Sequence, residues 1–254
     1  MKNIMLDLIH AHGSVRDYKP DPVPVPIIEI IIAAAQRSST SSNLQAYSVV
    51  ATTDPATRQR LAELCGNQRH VAEAPLFLTW CADLARLGLA CKLHGYTQVT
   101  GYVENFLVAA VDAAIASQTA ALAAESLDLG ICYIGSIRNN PQQVVELLGL
   151  PPLVFPITGM TVGYPLQPPP KKPRLPLNAI LHWEKYSLQQ KEPLREYDRV
   201  MSASGIYRDR QVPATGRETP ARKYGWTEHS ARRVSQAART GLRGVVEAQG
   251  FGLK

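Results

Sequence analysis

Four short segments carry residues whose types and spacing suit a phosphorylated or heteroaromatic ligand. In His12-Gly13-Ser14-Val15-Arg16 a hydroxyl and a guanidinium stand two residues apart. A guanidinium forks onto phosphate oxygens through charge-assisted hydrogen bonds, although a helix exit with a surface arginine would read the same way. Ser38-Ser39-Thr40-Ser41-Ser42-Asn43 is either a solvated loop or a set of short donors and acceptors facing a planar ring, with an apolar contact from Leu44 and an amide from Gln45. Tyr133-Ile134-Gly135-Ser136 closes a strand-like run on a residue without Cβ, so backbone N–H groups there could lie close to a ligand. Strand ends are where α/β sheets collect ligands. In Lys171-Lys172-Pro173-Arg174 the proline holds the chain extended and puts Lys172 and Arg174 on one side. Two cations so placed suit a phosphomonoester carrying about two negative charges; a solvated basic loop is the other reading.

Nothing else in the sequence performs chemistry unaided. There is no GxSxG elbow, HExxH pair, GxGxxG fingerprint or GxxxxGK[ST] loop. His10, His12, His70, His94, His182 and His229 share no metal-ligand spacing, and Cys65, Cys81, Cys91 and Cys132 form no CxxC. Difficult chemistry would need a cofactor.

The formal charge of +6 is unevenly placed. Up to Leu194 the 15 basic and 15 acidic residues balance; from Arg195 onward 12 basic residues face 6 acidic ones. A basic chain suggests nucleic acid as partner, but most of this one has no net charge with which to follow a phosphate backbone. With 45% hydrophobic and 19% charged residues the composition is that of a globular chain. The first residues lack a long apolar run and a small-residue cleavage site, so no leader peptide is expected. The apolar stretch 105–131 is interrupted by Asp112, Gln118, Glu125 and Asp128, which favours a buried helix over a membrane span. Unpatterned cysteines fit a reducing cytoplasm.

These segments must be positioned by regular elements. Breaker-free and periodic runs predict helices over 3–10, 27–36, 55–65, 105–129 and 141–148, and at least one tail helix, over roughly 228–249. Apolar or β-branched runs predict strands over 47–53, 76–82, 131–134 and 154–164. Six prolines between Pro165 and Pro176 predict a stiff extended crossing. Helices interleaved with four strands imply helical layers around one sheet.

In combination, HGSVRDY at 12–18, SSTSSNLQ at 38–45, GNQRHV at 66–71, AAESLDLG at 123–130, YIGSIRNN at 133–140 and KPRLP at 172–176 resemble the flavin-dependent nitroreductase family. The likeness is to its branch of oxygen-insensitive NADPH nitroreductases and NADPH–flavin oxidoreductases. It implies an α+β nitroreductase-like fold, a mixed, mostly antiparallel sheet flanked by helices. A core of residues 1–194 would be followed by a basic extension, 195–254, that wraps a homodimer and recognises NADPH. It further implies FMN at the dimer interface. His12, Gly13, Ser14, Arg16, Lys172 and Arg174 would lie at its phosphate and ribityl end, and Thr40, Ser42, Leu44 and Gln45 would come from the partner subunit. Gln68 and Tyr133, Ile134, Gly135 and Ser136 would lie at the ring. Arg208 falls where the family binds the extra phosphate of NADPH, with Arg217, Arg222 and Lys223 as rivals. Ser136 stands where the family commonly has Gly, which implies altered hydrogen bonding or tilt at the ring; Gly13 stands where it has Arg, which implies weaker FMN retention or compensation by Lys171. The implied activity is hydride transfer from NADPH through FMN to nitroaromatics, quinones or free flavins, with ping-pong kinetics; no nucleic acid or membrane is expected.

Overall fold

The computed structural model describes residues 3–214 and 223–254. These fall into two compact units, one running up to Lys171 and including Arg239–Lys254, the other Lys172–Ala238.

The first unit is built on four strands, β1 (Tyr47–Thr52), β2 (Leu76–Asp83), β3 (Gly130–Ile134) and β4 (Val154–Gly163), in the order β1-β2-β4-β3 with every neighbouring pair antiparallel. β2 is central and buried along its whole length, so it reads as a continuous apolar run instead of an alternating one. Leu76, Leu78 and Trp80 point to one face, and Phe77 to the other. The first face is covered by α2 (Val25–Ala35) and α6 (Val103–Ser126). The second is covered by α3 (Pro55–Leu64), α4 (Arg69–Glu73) and α7 (Pro141–Leu147). A third cluster joins Ala82 and Phe155 to Val246 and Phe251, so that α10 (Leu242–Ala248) closes the end of the sheet. Near the amino end, α1 (Ile4–Ala11) begins at Asn3, whose side chain accepts from the Met5 and Leu6 amides.

α6 is long and apolar enough to cross a membrane, yet in this fold it is a core helix. Ala109, Ala113, Ala116, Ala120, Ala121 and Ala124 are buried, and their small side chains allow close packing. Its other face exposes Leu107, Val111 and Ile115 at four-residue spacing.

In the second unit α8 (Lys191–Ser204) packs on α9 (Trp226–Val234) through an edge-to-face contact of Tyr197 with Trp226, centroids 5.5 Å apart. Asp198 of α8 accepts the Thr227 amide at 2.7 Å and so caps α9 from outside. Gly225 makes room, since a Cβ there would stand 2.4 Å from Asp198 Oδ1.

The predicted strands and the helices α1, α2, α3 and α7 are found within about two residues of their expected ends, the usual fraying margin, and α6 ends three residues before its expected end. The helix expected over roughly 228–249, where the tail was expected to hold at least one, is two separate helices. α9 stops at Val234 and α10 starts at Leu242, and between them Arg239 takes a left-handed φ of 53° that no helix continues through. Three further helices carry no clear sequence signal: the five-residue α4, α5 (Ala85–Leu93) with Gly88 at its centre, and α8 with Pro193 in its first turn.

The central packing can be tested at Gly159 of β4, where a Cβ would lie 2.3 Å from Phe77 Cζ. Gly159→Ala is expected to cost about 1–3 kcal/mol by overpacking, read as a fall in Tm of several degrees on thermal denaturation.

Candidate functional site

The segment leaving α1 is tied to the sheet. The Val15 amide donates to Ile131 O of β3 at 2.9 Å, and the Tyr18 hydroxyl donates to Val15 O at 2.9 Å and bonds Thr161 of β4 at 2.7 Å. Burial pushes the Tyr18 phenol far above its usual range. His12 is engaged inside the unit, its Nδ1 lying 2.5 Å from Glu125 Oε1 of α6. Gly13 is buried against the proline crossing, where a Cβ would come within 2.9 Å of Pro169; a side chain at this position requires that crossing to move. Ser14 and Arg16 are half-buried, and among the described residues neither side chain makes a hydrogen bond or ion pair. The Arg16 charge reaches His70, which burial first, then Arg16 and Arg69, hold below its usual pKa and therefore neutral at pH 7. Nε2 of His70 is buried without a partner.

Two residues before His70, Gln68 donates to Cys65 O at 2.8 Å and to the Ser136 hydroxyl. Ser136 belongs to the tight turn Gly135–Arg138 that follows β3, so a strand end, a glycine and an amide meet there. The hydroxymethyl of Ser136 is engaged by Gln68 and also bonds the Cys65 thiol, which burial nevertheless pushes up to about 12. Ile134 is buried in the core, and the Tyr133 hydroxyl donates to Ser117 of α6 at 3.2 Å.

The hydroxyl-rich loop lies at the opposite edge of the sheet, ahead of β1. Ser42, Asn43 and Gln45 all adopt left-handed backbone, with φ of 50°, 57° and 51°. Non-glycine residues hold that conformation only where surrounding structure fixes it. Here the fixing group is Asp112, fully buried on α6, whose Oδ1 accepts the Ser41 amide and Oδ2 the Ala46 amide, both at 3.0 Å. Ser42, Leu44 and Gln45 are left exposed and Thr40 half-exposed. An apolar cavity of about 620 Å³ adjoins this loop, lined by Ser41, Leu44, Leu87, Cys91 and Val108 among others. The structure thus joins Gln68 to Ser136 and brings Arg16 to their neighbour His70, while Thr40–Gln45 stands at the other sheet edge.

In the second unit Lys172 and Arg174 line a cavity of about 740 Å³ together with Arg210, Arg233, Tyr207 and His229. The lining residues include four cations and no carboxylate. Tyr207 and His229 stack with centroids 4.1 Å apart, and burial, then Arg233, lower the His229 pKa. Arg208 is not in this wall; its guanidinium lies over Gly205, the left-handed cap of α8. Lys223 also lies outside the lining, and Arg217 and Arg222 lie outside the described residues. Sequence reasoning missed Asp112, Arg210, Arg233 and the Tyr207–His229 stack. For Asp112 a signal existed, a carboxylate within an alanine-rich helix.

Comparison with known proteins decides the family. Residues 9–164 match the model of the nitroreductase family, and residues 172–254 match that of its C-terminal domain. The chain belongs to the nitroreductase family. It is 36% identical over 249 residues to a Cr(VI) reductase of Pseudomonas sp. strain G-1, covering 98% of this chain and 99% of that protein. It is 37% identical over 253 residues to an FMN reductase [NAD(P)H] of Bacillus subtilis, covering 98% of each. Among solved structures, NfrA2 of B. megaterium superposes with a TM-score of 0.91 at 35% identity over 100% of both chains.

Two outcomes follow from this nitroreductase's geometry. Asp112→Asn weakens an ionic acceptor of two amides, so the Ser41 and Ala46 amides are expected to exchange hydrogen at least about tenfold faster, equivalent to about 1.4 kcal/mol per bond. Among the thiols, Cys65 and Cys81 are both pushed up to about 12 by burial and Cys132 is buried, whereas Cys91 is partly exposed on a cavity wall. A thiol reagent at pH 8 is expected to label Cys91 alone in the folded protein.

Proposed function

We propose that this nitroreductase is an FMN-dependent oxidoreductase that uses NADPH to reduce nitroaromatics, quinones or free flavins. The reading rests on family membership and on one observation above all. Arg16, half-buried and without an acidic partner among the described residues, follows Val15, whose amide is tied to β3, and Gln68 binds Ser136 in the turn just after that strand. That donor set fits a flavin mononucleotide: a cation and the Ser14 hydroxyl for the phosphate, an amide and close backbone for the ring. FMN, when bound, supplies the two-electron chemistry, accepting hydride from the nicotinamide and handing it to the acceptor. The protein's residues hold and orient. Arg16 and Ser14 bind phosphate, while Gln68 and the Gly135–Ser136 backbone face the ring. His12, tied to Glu125, keeps the entering segment in place. One pocket serving donor and acceptor in turn gives ping-pong kinetics.

We further propose a homodimer in which Thr40, Ser42, Leu44 and Gln45 reach the partner's flavin. Within one chain β1 and β3 are the two sheet edges, three strand spacings or about 14 Å apart, so the loop before β1 and the turn after β3 are better suited to meet across subunits. The exposed Leu107, Val111 and Ile115 of α6 and the exposed Ile4, Met5 and Ile9 of α1 are apolar surface for such a partner. In the second unit the cations Lys172 and Arg174 serve phosphate, and Arg208 with the basic extension selects NADPH. Cysteines without a CxxC pattern suit a reducing cytoplasm. The Cr(VI) reductase likeness adds oxoanions to the candidate acceptors.

The purified protein is expected to be yellow, dimeric by light scattering, and bleached by NADPH under anaerobic conditions; a colourless protein with no affinity for added FMN would sink the reading. Arg16→Ala is expected to weaken FMN binding at least about tenfold, the loss of one charged hydrogen bond of about 1.5–3 kcal/mol. Arg208→Ala should raise the NADPH KM while leaving the NADH KM alone.

A further inference from the structure

We propose that Ser136 is a positioning residue that decides which half of the Gln68 amide a ligand meets. Together with Cys65 O it takes up both amide hydrogens and leaves only the carbonyl oxygen on offer, so the site selects rings that present an N–H there. The inference rests on the flavin reading above. It adds a specificity-determining side chain at the position where this chain departs from the family's usual glycine.

The amide is brought to its partners by the turn that ends α3. That helix stops at Leu64, so the Cys65 carbonyl lies beyond its last turn and needs a donor from elsewhere. Gly66 and Asn67 both take left-handed backbone, with φ of 82° and 55°, and fold the chain back. Gln68 returns to Cys65, and its Nε2 donates to Cys65 O at 2.8 Å. From the other side the turn after β3 brings Ser136, whose hydroxyl accepts from the same Nε2.

The orientation of the amide is forced by these partners. Cys65 O only accepts, so turning the amide over would set oxygen against oxygen at 2.8 Å. An amide nitrogen has two hydrogens, and both are used within the chain. Ser136 also bonds the buried Cys65 thiol, which closes a ring of contacts among three residues. Its oxygen accepts from Gln68 and its hydrogen is left to face the sulfur.

What remains of Gln68 is Oε1. The residue is half-buried, and Oε1 has no hydrogen-bond partner among the described residues, yet it is not sealed from solvent. A ligand at this group therefore meets lone pairs and no donor. A ring carbonyl facing it would oppose acceptor to acceptor, whereas a ring N–H satisfies both sides. The oxidised isoalloxazine ring carries one N–H, at N3 between two carbonyl groups, and that imide edge suits the oxygen. An analogue lacking the N–H is rejected strongly, because Oε1 is then left unpaired.

The test compares FMN with 3-methyl-FMN, which differs only at that N–H, on the full-length chain stripped of flavin. Quenching of flavin fluorescence is expected to show FMN bound at least about tenfold tighter than 3-methyl-FMN by the wild type. Ser136→Ala frees one amide hydrogen for the neighbouring ring carbonyls, so the preference should fall to about threefold or less, and Ser136→Gly should do the same. The readout is a ratio of two affinities, which a general weakening of the fold does not move. Before flavin is added, side-chain amide NMR should show both Gln68 hydrogens protected in the wild type. One of them should exchange at least about tenfold faster in Ser136→Ala. Equal affinities in the wild type, or unchanged amide exchange in the variant, would overturn the proposal. So would an FMN preference that persists undiminished in both variants, the result of simple crowding by the methyl group. A wild type that binds neither flavin refutes the flavin reading instead, and the amide exchange still decides what Ser136 does.

Discussion

The carboxylate of Asp112 is the constraint around which the first unit is arranged. It lies on the face of α6 that packs against the sheet, where an unpaired charge would be costly, and it is satisfied by the Ser41 and Ala46 amides. Those two bonds bracket a loop in which three non-glycine residues take left-handed backbone. Burial of the charge and strain in the loop support each other: the loop supplies the donors that let Asp112 be buried, and Asp112 supplies the acceptors that keep the loop strained. The result is a rigid display of Ser42, Leu44 and Gln45 at one sheet edge, with their side chains outward.

The same helix reaches the other edge. One turn and a half beyond Asp112, Ser117 accepts the Tyr133 hydroxyl, and further along Glu125 holds His12. α6 is thus a common beam for three segments that the sequence keeps far apart, and its alanines let it lie close enough to the sheet to serve all three. In the proposed function the binding surface is split between these two sheet edges and a second copy of the chain completes it. In the proposed homodimer the apolar stripe on the outer face of α6 would be the surface that meets the neighbour.

Much of this was legible in the sequence, for identifiable reasons. β2 and β4 are long apolar runs and α6 has no breaker, so their existence followed from composition alone. The segments at 12–16, 38–45 and 133–136 stood out because their residue types are unusual for the ends of elements. What stayed hidden was long-range or irregular. His12 meets a residue 113 positions away, Arg239 one 100 positions away, and Asp112 bonds a loop 66 to 71 positions before it. No local pattern encodes such pairings. The break between α9 and α10 was missed because the intervening residues include good helix formers, and the left-handed turn at Arg239 is set by its contact with Asn139 rather than by propensity.

The positive charge takes on a different meaning once the partners of each cation are known. A net excess says little, because many arginines here are neutralised by acids one helical turn away or across a loop. Arg16 is half-buried and meets no carboxylate among the described residues, so its charge is left for a ligand. In the second unit a cavity wall gathers Lys172, Arg174, Arg210 and Arg233, and no acid belongs to that lining. A net charge thus says little about where cations gather, and a stretch neutral in sum over its first 194 residues still contributes Lys172 and Arg174 to a cation-lined wall. A nucleic acid would be met by cations spread along a surface. Cations gathered in a cavity instead fit small anions taken one at a time, which is what an enzyme using a phosphorylated donor requires.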